Sequence, residues 1–295
     1  FHGAVVDHDN SEDNRVFKEV TRVGEALENI KAVKGSYKKA KVAIIYDWEN
    51  NWALNDAQGF SNASKRYPQT LQEHYRYFWN HDIAVEVITS EADFSKYELI
   101  IGPMMYLMTE SVMKRLSSYV KQGGTFVSTY ITGYVNENDL TYLGGWPQPL
   151  REMFGIKVTE TDTLYPKDRN AVHYADQSFE AKDYCSLFEL EGAEVLGTYT
   201  EDFYAGKPAI TRNKYGQGAA YFIGARTNLD FLEYFYGELA KNKGLENAWV
   251  IKGDPDVSVQ SRDFENQSYR FVMNFSEEMK EIQVATACVD LITRT

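Results

Sequence analysis

The sequence contains few cysteines and no long apolar run. Only two of its 295 residues are cysteine, Cys185 and Cys288, and they lie far apart in the chain. Neither a disulfide framework nor a cysteine-based zinc site is therefore expected. No run of about 18 apolar residues could cross a bilayer, and the N-terminus lacks the charged-then-apolar pattern of a secretory signal. These absences predict no membrane association and a reducing, cytoplasmic location.

Clustered positive charge is also absent. The chain has 31 Lys and Arg against 43 Asp and Glu, which gives a formal net charge of -12. Phosphate contacts need clusters of Lys and Arg, so nucleic acid is not an expected partner. Aromatic residues make up 14% of the chain, and their side chains suit both sugar-binding faces and subunit interfaces.

Residues 1–37 have the pattern of a short extended segment followed by one amphipathic helix. Val16, Val20, Val23 and Leu27 recur at helical spacing, after cap-type residues at positions 11–14. Because such a helix needs a surface to pack on, and because the chain begins with Phe1 rather than Met, we expect it to be a piece of a longer protein.

Residues 38–245 alternate between apolar strands and amphipathic helices. Strands are predicted at 42–46, 83–88, 99–101 and 125–129, and helices at 68–81 and 109–122. Residues 47–66 are interpreted as a polar, aromatic loop and 130–192 as less regular chain. A strand at 195–199, a glycine-rich hairpin around 214–218 with its second strand at 219–225, and a closing helix at 228–243 are predicted to follow. The predicted fold class is α/β: a flavodoxin-like, doubly wound and mostly parallel sheet, as in class I glutamine amidotransferases. Residues 246–295 are predicted to form a small antiparallel β domain.

The sequence offers no cofactor or metal motif. No Gly-x-Gly-x-x-Gly or Walker pattern follows a predicted strand, and the residues after the third strand, Gly102 to Met105, contain no nucleophilic cysteine. No two histidines have metal-ligand spacing within a helix; the five are His2, His8, His74, His81 and His173. We therefore expect neither a cofactor nor a bound metal.

The most site-like cluster follows the first predicted strand. Asp47 and Glu49 lie beside Trp48, Asn51 and Trp52, and glycoside hydrolysis uses two carboxylates. Chance acidic pairs are common in so acidic a chain, so an interface or structural role is favoured over a catalytic one. We expect residues 48–60 to contribute to a subunit interface.

Several segments resemble family 42 glycoside hydrolases, the bacterial β-galactosidases. The segments FHGAVVDH (1–8) and NRVFKEV (14–20) resemble the end of that family's catalytic barrel, and VAIIYDWENNWA (42–53) resembles the start of its middle domain. Three further segments are similar to the family in the same order: YELIIGP (97–103), YVKQGG (119–124) and GQGAAYFIG (216–224).

This resemblance implies a three-part parent enzyme. Residues 1–37 would be the tail of a (β/α)₈ catalytic barrel, 38–245 a flavodoxin-like trimerisation domain, and 246–295 a C-terminal β domain. The parent would be a homotrimer that hydrolyses terminal β-galactosides with retention, using two glutamates upstream of Phe1. No catalytic residue is then expected in this chain, whose own role would be assembly. His2 matches the family histidine that contacts galactose and is the one predicted substrate-binding residue.

Two other functions stay open at this point. A carbohydrate-binding module would use Trp146, Trp249 and the tyrosines to stack on sugar rings. An amidotransferase-like hydrolase would need a nucleophile that the sequence does not reveal.

Overall fold

The computed structural model describes residues 5–8, 11–246, 249–254 and 256–293. The chain divides into two compact units, one formed by residues 39–246 and the other by residues 1–38 together with 247–295. The junctions lie next to the predicted boundaries at 37/38 and 245/246, while the first and last segments fall within one unit. Within the described residues, no helix is both long and apolar enough to cross a membrane.

The larger unit contains five α-helices and eleven β-strands. The helices are α2 (Trp48–Asp56), α3 (Tyr67–Asn80), α4 (Glu110–Lys121), α5 (Arg151–Phe154) and α6 (Leu229–Lys243). The strands are β1 (Val42–Ile45), β2 (Val85–Ile88), β3 (Leu99–Gly102), β4 (Thr125–Thr129), β5 (Ile156–Thr163), β6 (Asn170–Tyr174), β7 (Gln177–Leu190), β8 (Glu194–Tyr199), β9 (Pro208–Tyr215), β10 (Gly218–Ile223) and β11 (Ala225–Thr227).

The sheet of this unit is mixed, so the predicted fold class is wrong. All eleven strands join one sheet in the order β11-β7-β6-β8-β9-β10-β4-β3-β1-β2, with β5 paired to β7. Four strand pairings are parallel, and six are antiparallel. A flavodoxin-like, doubly wound sheet would be mostly parallel, whereas here antiparallel strands make up most of the pairings.

The error arose mainly in residues 130–192, where β5, β6 and β7 were not predicted. The interval 130–192 reads as irregular because its strands alternate imperfectly and contain bulges. One example is the register shift between Val158 and Glu160 in β5, and another is Asp183, whose φ of 60° lies in the left-handed region. Such irregularities break the period-2 pattern from which strands are predicted. The predicted loop 47–66 is likewise wrong in its first half, which forms α2.

The helices cover both faces of the parallel strands. Successive residues of β1 point to opposite faces: Val42 and Ile44 belong to a core with α3 and α6, and Ala43 and Ile45 to a core with α4 and α5. Because β1 and β3 are buried on both sides, they appear in the sequence as continuous apolar runs. The predicted helices over 68–81 and 109–122 are confirmed, the second with Thr109 as its N-cap.

In the described residues of the smaller unit, one α-helix is combined with short antiparallel strands. Helix α1 (Arg15–Asn29) begins at Asn14, whose side chain accepts a hydrogen bond from the Phe17 N–H at 2.8 Å. Strands β13 (Val257–Phe264) and β14 (Gln267–Asn274) form a hairpin, and β12 (Val250–Lys252) pairs with β15 (Gln283–Val284). The apolar residues of α1 are largely exposed, as at Val23 and Leu27.

A buried histidine lies between α3 and α6. His74 Nδ1 is 2.5 Å from the hydroxyl oxygen of Tyr236, and both residues are buried. Burial lowers the pKa of His74 to about 3, and the charge of Arg226 contributes in the same direction. The helical pattern alone would make His74 a surface or helix-end residue, but its imidazole is a neutral part of the core.

We predict that His74 makes the stability of the larger unit depend on pH. The unfolded chain binds a proton at His74 below about pH 6.5, whereas the folded chain does not until about pH 3. The contribution of His74 to the free energy of unfolding is therefore complete above pH 6.5. Below that pH it decreases by about 1.4 kcal/mol for each pH unit. Urea unfolding at pH 7 and pH 5 should show a loss about 2 kcal/mol larger in the wild type than in His74→Gln.

The matched control for this prediction is His173→Gln, because His173 is exposed on β6. This variant should keep the pH dependence of the wild type. Equal pH dependence in the wild type and His74→Gln would contradict the prediction.

Candidate functional site at the strand ends

The carboxyl ends of the parallel strands β1, β3, β4 and β10 meet at one edge of the sheet, which we call the carboxyl edge. The chain runs from β1 to β2 on one side and then returns to β3 on the other, so the order reverses beside β1. Such a reversal creates a crevice that commonly holds ligands in α/β sheets. Here a crevice of about 370 Å³ lies between Trp48, Trp52, Ser90, Met105 and Thr109.

Asp47, the first acidic residue of the predicted cluster, is the N-cap of α2. Its side chain accepts hydrogen bonds from the N–H groups of Glu49 and Asn50, at 3.0 and 3.3 Å, and from the Ser90 hydroxyl at 2.5 Å. These bonds occupy both carboxylate oxygens and satisfy two of the free N–H groups at the start of the helix. The carboxylate therefore serves helix formation, and α2 replaces the predicted loop.

Helix α2 presents two tryptophans to the outside. Trp48 and Trp52 are 59% and 63% exposed, and their ring centroids lie 6.4 Å apart. On the opposite side of the helix, the Asn50 amide donates to the Met104 carbonyl at 3.0 Å and accepts from the Leu107 N–H at 2.9 Å. Because these bonds and the buried Leu54 fix the helix on the sheet, the two indoles are held outward.

The loop after α2 continues the aromatic surface along the edge. Phe60 makes edge-on ring contacts with Tyr106, Tyr134 and Tyr184 at 5.6 to 6.4 Å. A second crevice, of about 430 Å³, lies between Phe60 and Tyr165. The carboxyl edge thus carries exposed or partly exposed aromatic rings from more than one segment.

Arg226 connects the loop 57–66 to the sheet. Its side chain is only 2% exposed; it pairs with Asp183 at 3.0 Å and donates to the Tyr130 hydroxyl at 2.7 Å. It also donates to the carbonyl oxygens of Ser64 and Lys65, at the end of the loop. One guanidinium, with donors in a fixed fork, therefore links β11, β7 and the loop 57–66.

The strand end after β3 carries no nucleophile. Met104 stands there with a φ of 48°, which is uncommon for a residue other than glycine, and its sulfur lies 3.4 Å from Arg226 Nη2. Burial raises the pKa of Cys185 to about 12, so that thiol remains protonated and unreactive. Neither group supports an amidotransferase-like hydrolase.

The tryptophans considered for sugar binding are partly covered. Trp146 stacks on Tyr134 with ring centroids 4.1 Å apart, and its indole N–H donates to Thr141. In the smaller unit, the Arg270 guanidinium lies 5.6 Å from the ring centroid of Trp249. Each ring therefore has one face engaged within the protein, which weakens the carbohydrate-binding interpretation.

The predicted substrate residue His2 lies outside the described residues. Of the other histidines, His81 pairs with Glu233 at 2.6 Å and His173 is exposed on β6. Across the part of the chain that the structure describes, no three His, Cys, Asp or Glu residues are grouped to hold a metal ion.

Sequence reasoning missed two exposed rings at the same edge. Tyr165 and Phe203 are 79% and 72% exposed and lie in the turns before β6 and after β8. Both turns carry charged residues, so a polar surface was the natural interpretation. The available signal was an aromatic residue within a charged turn, as in Glu201-Asp202-Phe203, where no core position is expected.

We predict that removing the Arg226 charge destabilises the larger unit strongly. Arg226→Met keeps the bulk of the side chain but leaves Asp183 with only the more exposed Arg66 as a cationic partner, and it leaves two loop carbonyls without their donor. Loss of one partner of a buried ion pair costs about 3–5 kcal/mol. Urea unfolding at pH 7 should report a decrease of that size, whereas the control Arg212→Met, at an exposed pair with Glu194, should cost at most about 1 kcal/mol. Equal losses in the two variants would refute the assigned role of Arg226.

Comparison with known proteins identifies the larger unit. Residues 40–246 match the family model described as the beta-galactosidase trimerisation domain. The chain is 54% identical over 293 residues to beta-galactosidase GalA of Bacillus licheniformis, covering 99% of this chain and 44% of that protein. It is 53% identical over 292 residues to beta-galactosidase GanA of Bacillus subtilis, with the same coverage.

Solved structures agree with this match. A catalytic mutant of Gan42B, a GH42 beta-galactosidase from G. stearothermophilus, superposes with a TM-score of 0.95 at 53% identity, covering 100% of this chain and 43% of that one. A beta-galactosidase from Bacillus circulans sp. alkalophilus gives a TM-score of 0.91 at 35% identity, with 100% and 44% coverage. The chain spans less than half the length of these relatives. Residues 40–246 are the trimerisation domain of this chain. Because this family model covers most of the sequence, the chain belongs to the glycoside hydrolase family 42 β-galactosidases.

Proposed function

We propose that this chain is the non-catalytic assembly portion of a β-galactosidase. The full-length form would hydrolyse terminal non-reducing β-D-galactosides by a retaining mechanism with two glutamates outside this chain. Support comes from the family model and from relatives that are named beta-galactosidases and extend well beyond the matched region.

The observation that carries the proposal is the exposed side of α2. We call it the tryptophan face and define it as Trp48, Glu49, Trp52 and Asp56, all of which are exposed. Two large apolar rings, held outward by a helix fixed on the sheet, are costly to leave in water. Tryptophan is also the residue most enriched among interface hot spots. We therefore assign to this face a contact with a second copy of the chain.

The oligomeric state, the substrate contact and the domain division that we propose follow from the similarity to β-galactosidases. The assembly would be a homotrimer, and β-galactoside would bind through the barrel of the parent, with His2 contacting galactose. The three-part division at residues 37/38 and 245/246 belongs to this proposal. A cytoplasmic location fits the two cysteines, which are both free and lie in different units.

We predict that the double substitution Trp48→Ala and Trp52→Ala dissociates the assembly. Hot-spot tryptophans contribute about 2 kcal/mol or more each, so the dissociation constant should rise about 1,000-fold. Light scattering over a tenfold range of concentration measures the mass of the wild type and the variant. Circular dichroism checks that α2 and the sheet remain folded.

Val87→Ala is the matched control, because Val87 is 65% exposed but lies in the middle of the outer strand β2. Its oligomeric mass should equal that of the wild type. A wild-type mass in the tryptophan variant, or a monomeric wild type throughout the range, would overturn the assembly role.

We also predict that this chain alone does not hydrolyse nitrophenyl β-galactoside. Retaining hydrolysis needs two carboxyl groups about 5–5.5 Å apart, and the Asp47 carboxylate at the carboxyl edge already caps a helix. Full-length GalA of Bacillus licheniformis serves as the positive control in the same assay. Hydrolysis by this chain that disappears in Glu49→Gln would place a catalytic centre here and contradict the non-catalytic proposal.

A further inference from the structure

We infer that the trimerisation domain has a polar cleft, at the sheet edge opposite the carboxyl edge, that binds a neutral oligosaccharide. We call it the amino-edge cleft and define it by Asp93, Glu98, Arg115, Gln122 and Lys243. The inference goes beyond the proposed assembly role and does not depend on the contact assigned to α2.

The amino-edge cleft lies where the parallel strands begin. A 3₁₀ helix (Phe94–Lys96) and Glu98 precede β3, α4 ends beside the cleft at Lys121, and α6 ends there at Lys243. Because α4 and α6 cover opposite faces of the sheet, the cleft crosses the edge between their ends. Its volume of about 540 Å³ exceeds that of both crevices at the carboxyl edge and lies within the range of small-molecule sites.

Buried aromatic rings fix the walls of this cleft. The Tyr97 hydroxyl donates to Glu86 at 2.5 Å, the Tyr119 hydroxyl donates to the Thr125 carbonyl at 3.2 Å, and both rings are buried. Gly124 gives the Tyr119 ring its room, since a Cβ atom there would lie 2.2 Å from it. The cleft is therefore formed before a ligand binds, which lowers the entropic cost of binding.

Lys243 supplies a donor that the fold leaves unused. Its side chain is half-buried, and in the described part of the chain nothing accepts a hydrogen bond from its ammonium group or pairs with it. Burial lowers the pKa of Lys243, and the charge of Glu98 opposes this shift only in part. A half-buried ammonium without an acceptor is costly, so a ligand oxygen that accepts from it would be stabilised there.

Other side chains of the cleft keep acceptor capacity. The Oδ1 atom of Asp93 accepts from the N–H and the hydroxyl of Ser95, and Nε2 of Gln122 donates to the Ser118 hydroxyl at 3.0 Å. Among the described residues, nothing donates to Oδ2 of Asp93 or to Oε1 of Gln122. A sugar hydroxyl both donates and accepts, so vicinal hydroxyls can bond to these oxygens and to the Lys243 ammonium together. A cavity of this volume takes a drug-sized ligand, which for a saccharide means two or more rings.

The charges of the cleft favour a neutral ligand. Two acidic side chains are balanced by two basic ones: Asp93, Glu98, Arg115 and Lys243. The Arg115 guanidinium is already engaged by two backbone carbonyls. Helices α4 and α6 both place their C-terminal ends beside the cleft, and such ends carry partial negative charge. A free anion such as phosphate is therefore disfavoured, whereas uncharged hydroxyls suit the donors and the acceptors.

Calorimetric titration with methyl β-lactoside tests the cleft, because this disaccharide is non-reducing and does not react with lysine. The wild-type chain should bind it at one site per chain. Lys243→Met should weaken binding about 10-fold or more, since a hydrogen bond to a charged group is lost. Lys241→Met is the matched control and should bind as the wild type does, because Lys241 is exposed in the same last turn of α6 and does not line the cleft.

Filling the cleft gives a second variant that removes no buried group. Ser118 is exposed on α4 and lines the cleft, so Ser118→Tyr should abolish binding. Ser111→Tyr, at an exposed position of the same helix that does not line the cleft, should leave binding unchanged. Circular dichroism checks that both variants are folded.

Acetylation of lysines gives an independent readout. At about pH 8, acetic anhydride reacts with amines in their unprotonated form, and mass spectrometry of peptides resolves Lys243 from Lys241. Methyl β-lactoside at saturation should slow the modification of Lys243 several-fold and leave that of Lys241 unchanged.

The outcomes separate this inference from the proposed function. No binding by the wild type, no protection of Lys243, or wild-type affinity in Lys243→Met or Ser118→Tyr overturns the inference. Binding of inorganic phosphate in place of the disaccharide would make the cleft an anion site and would equally overturn it. None of these results changes the mass measured by light scattering, so a failure here and a failure of the assembly role are distinguishable.

Discussion

The surface at the carboxyl edge depends on one buried cation. Arg226 links Asp183 of β7, Tyr130 after β4 and the carbonyl oxygens of Ser64 and Lys65. An unpaired guanidinium in this place would be costly, so the surrounding oxygens must all be present when the protein is folded. The loop that follows α2 is thereby held across the strand ends, with its one ring, Phe60, packed against Tyr106, Tyr134 and Tyr184.

The crevice at the carboxyl edge has the position of a ligand-binding site, but its residues are arranged for a different role. A reversal of strand order creates a crevice beside β1, where other α/β proteins place a ligand. In this chain Asp47 caps α2 at the crevice, Met104 occupies the turn after β3, and the outward positions of α2 are tryptophans. The polar groups that would orient a small ligand are thus satisfied within the fold, and apolar rings face outward. Such an arrangement favours a protein partner over a reacting substrate.

The sequence predicted the parallel strands and their helices well, because residues buried on both sides form unbroken apolar runs. Thr109 was identifiable as the N-cap of α4, and residues 68–81 as a helix beginning near a proline. The antiparallel strands between residues 156 and 190 were missed because bulges, as at Asp183, interrupt the alternation by which strands are predicted. The wrong fold class followed from this omission, since most of the strands that were found are parallel.

Long-range contacts explain what the sequence could not reveal about the site. The second oxygen of the Asp47 carboxylate accepts from Ser90, more than forty positions away in the chain. The burial of Arg226 depends on β7, the turn after β4 and the loop 57–66. Charge pattern was more informative: α2 has two acids and no base, which can be read directly from residues 48–56. A helix face of this kind repels its own copy, so its charge argues against a two-fold contact through α2.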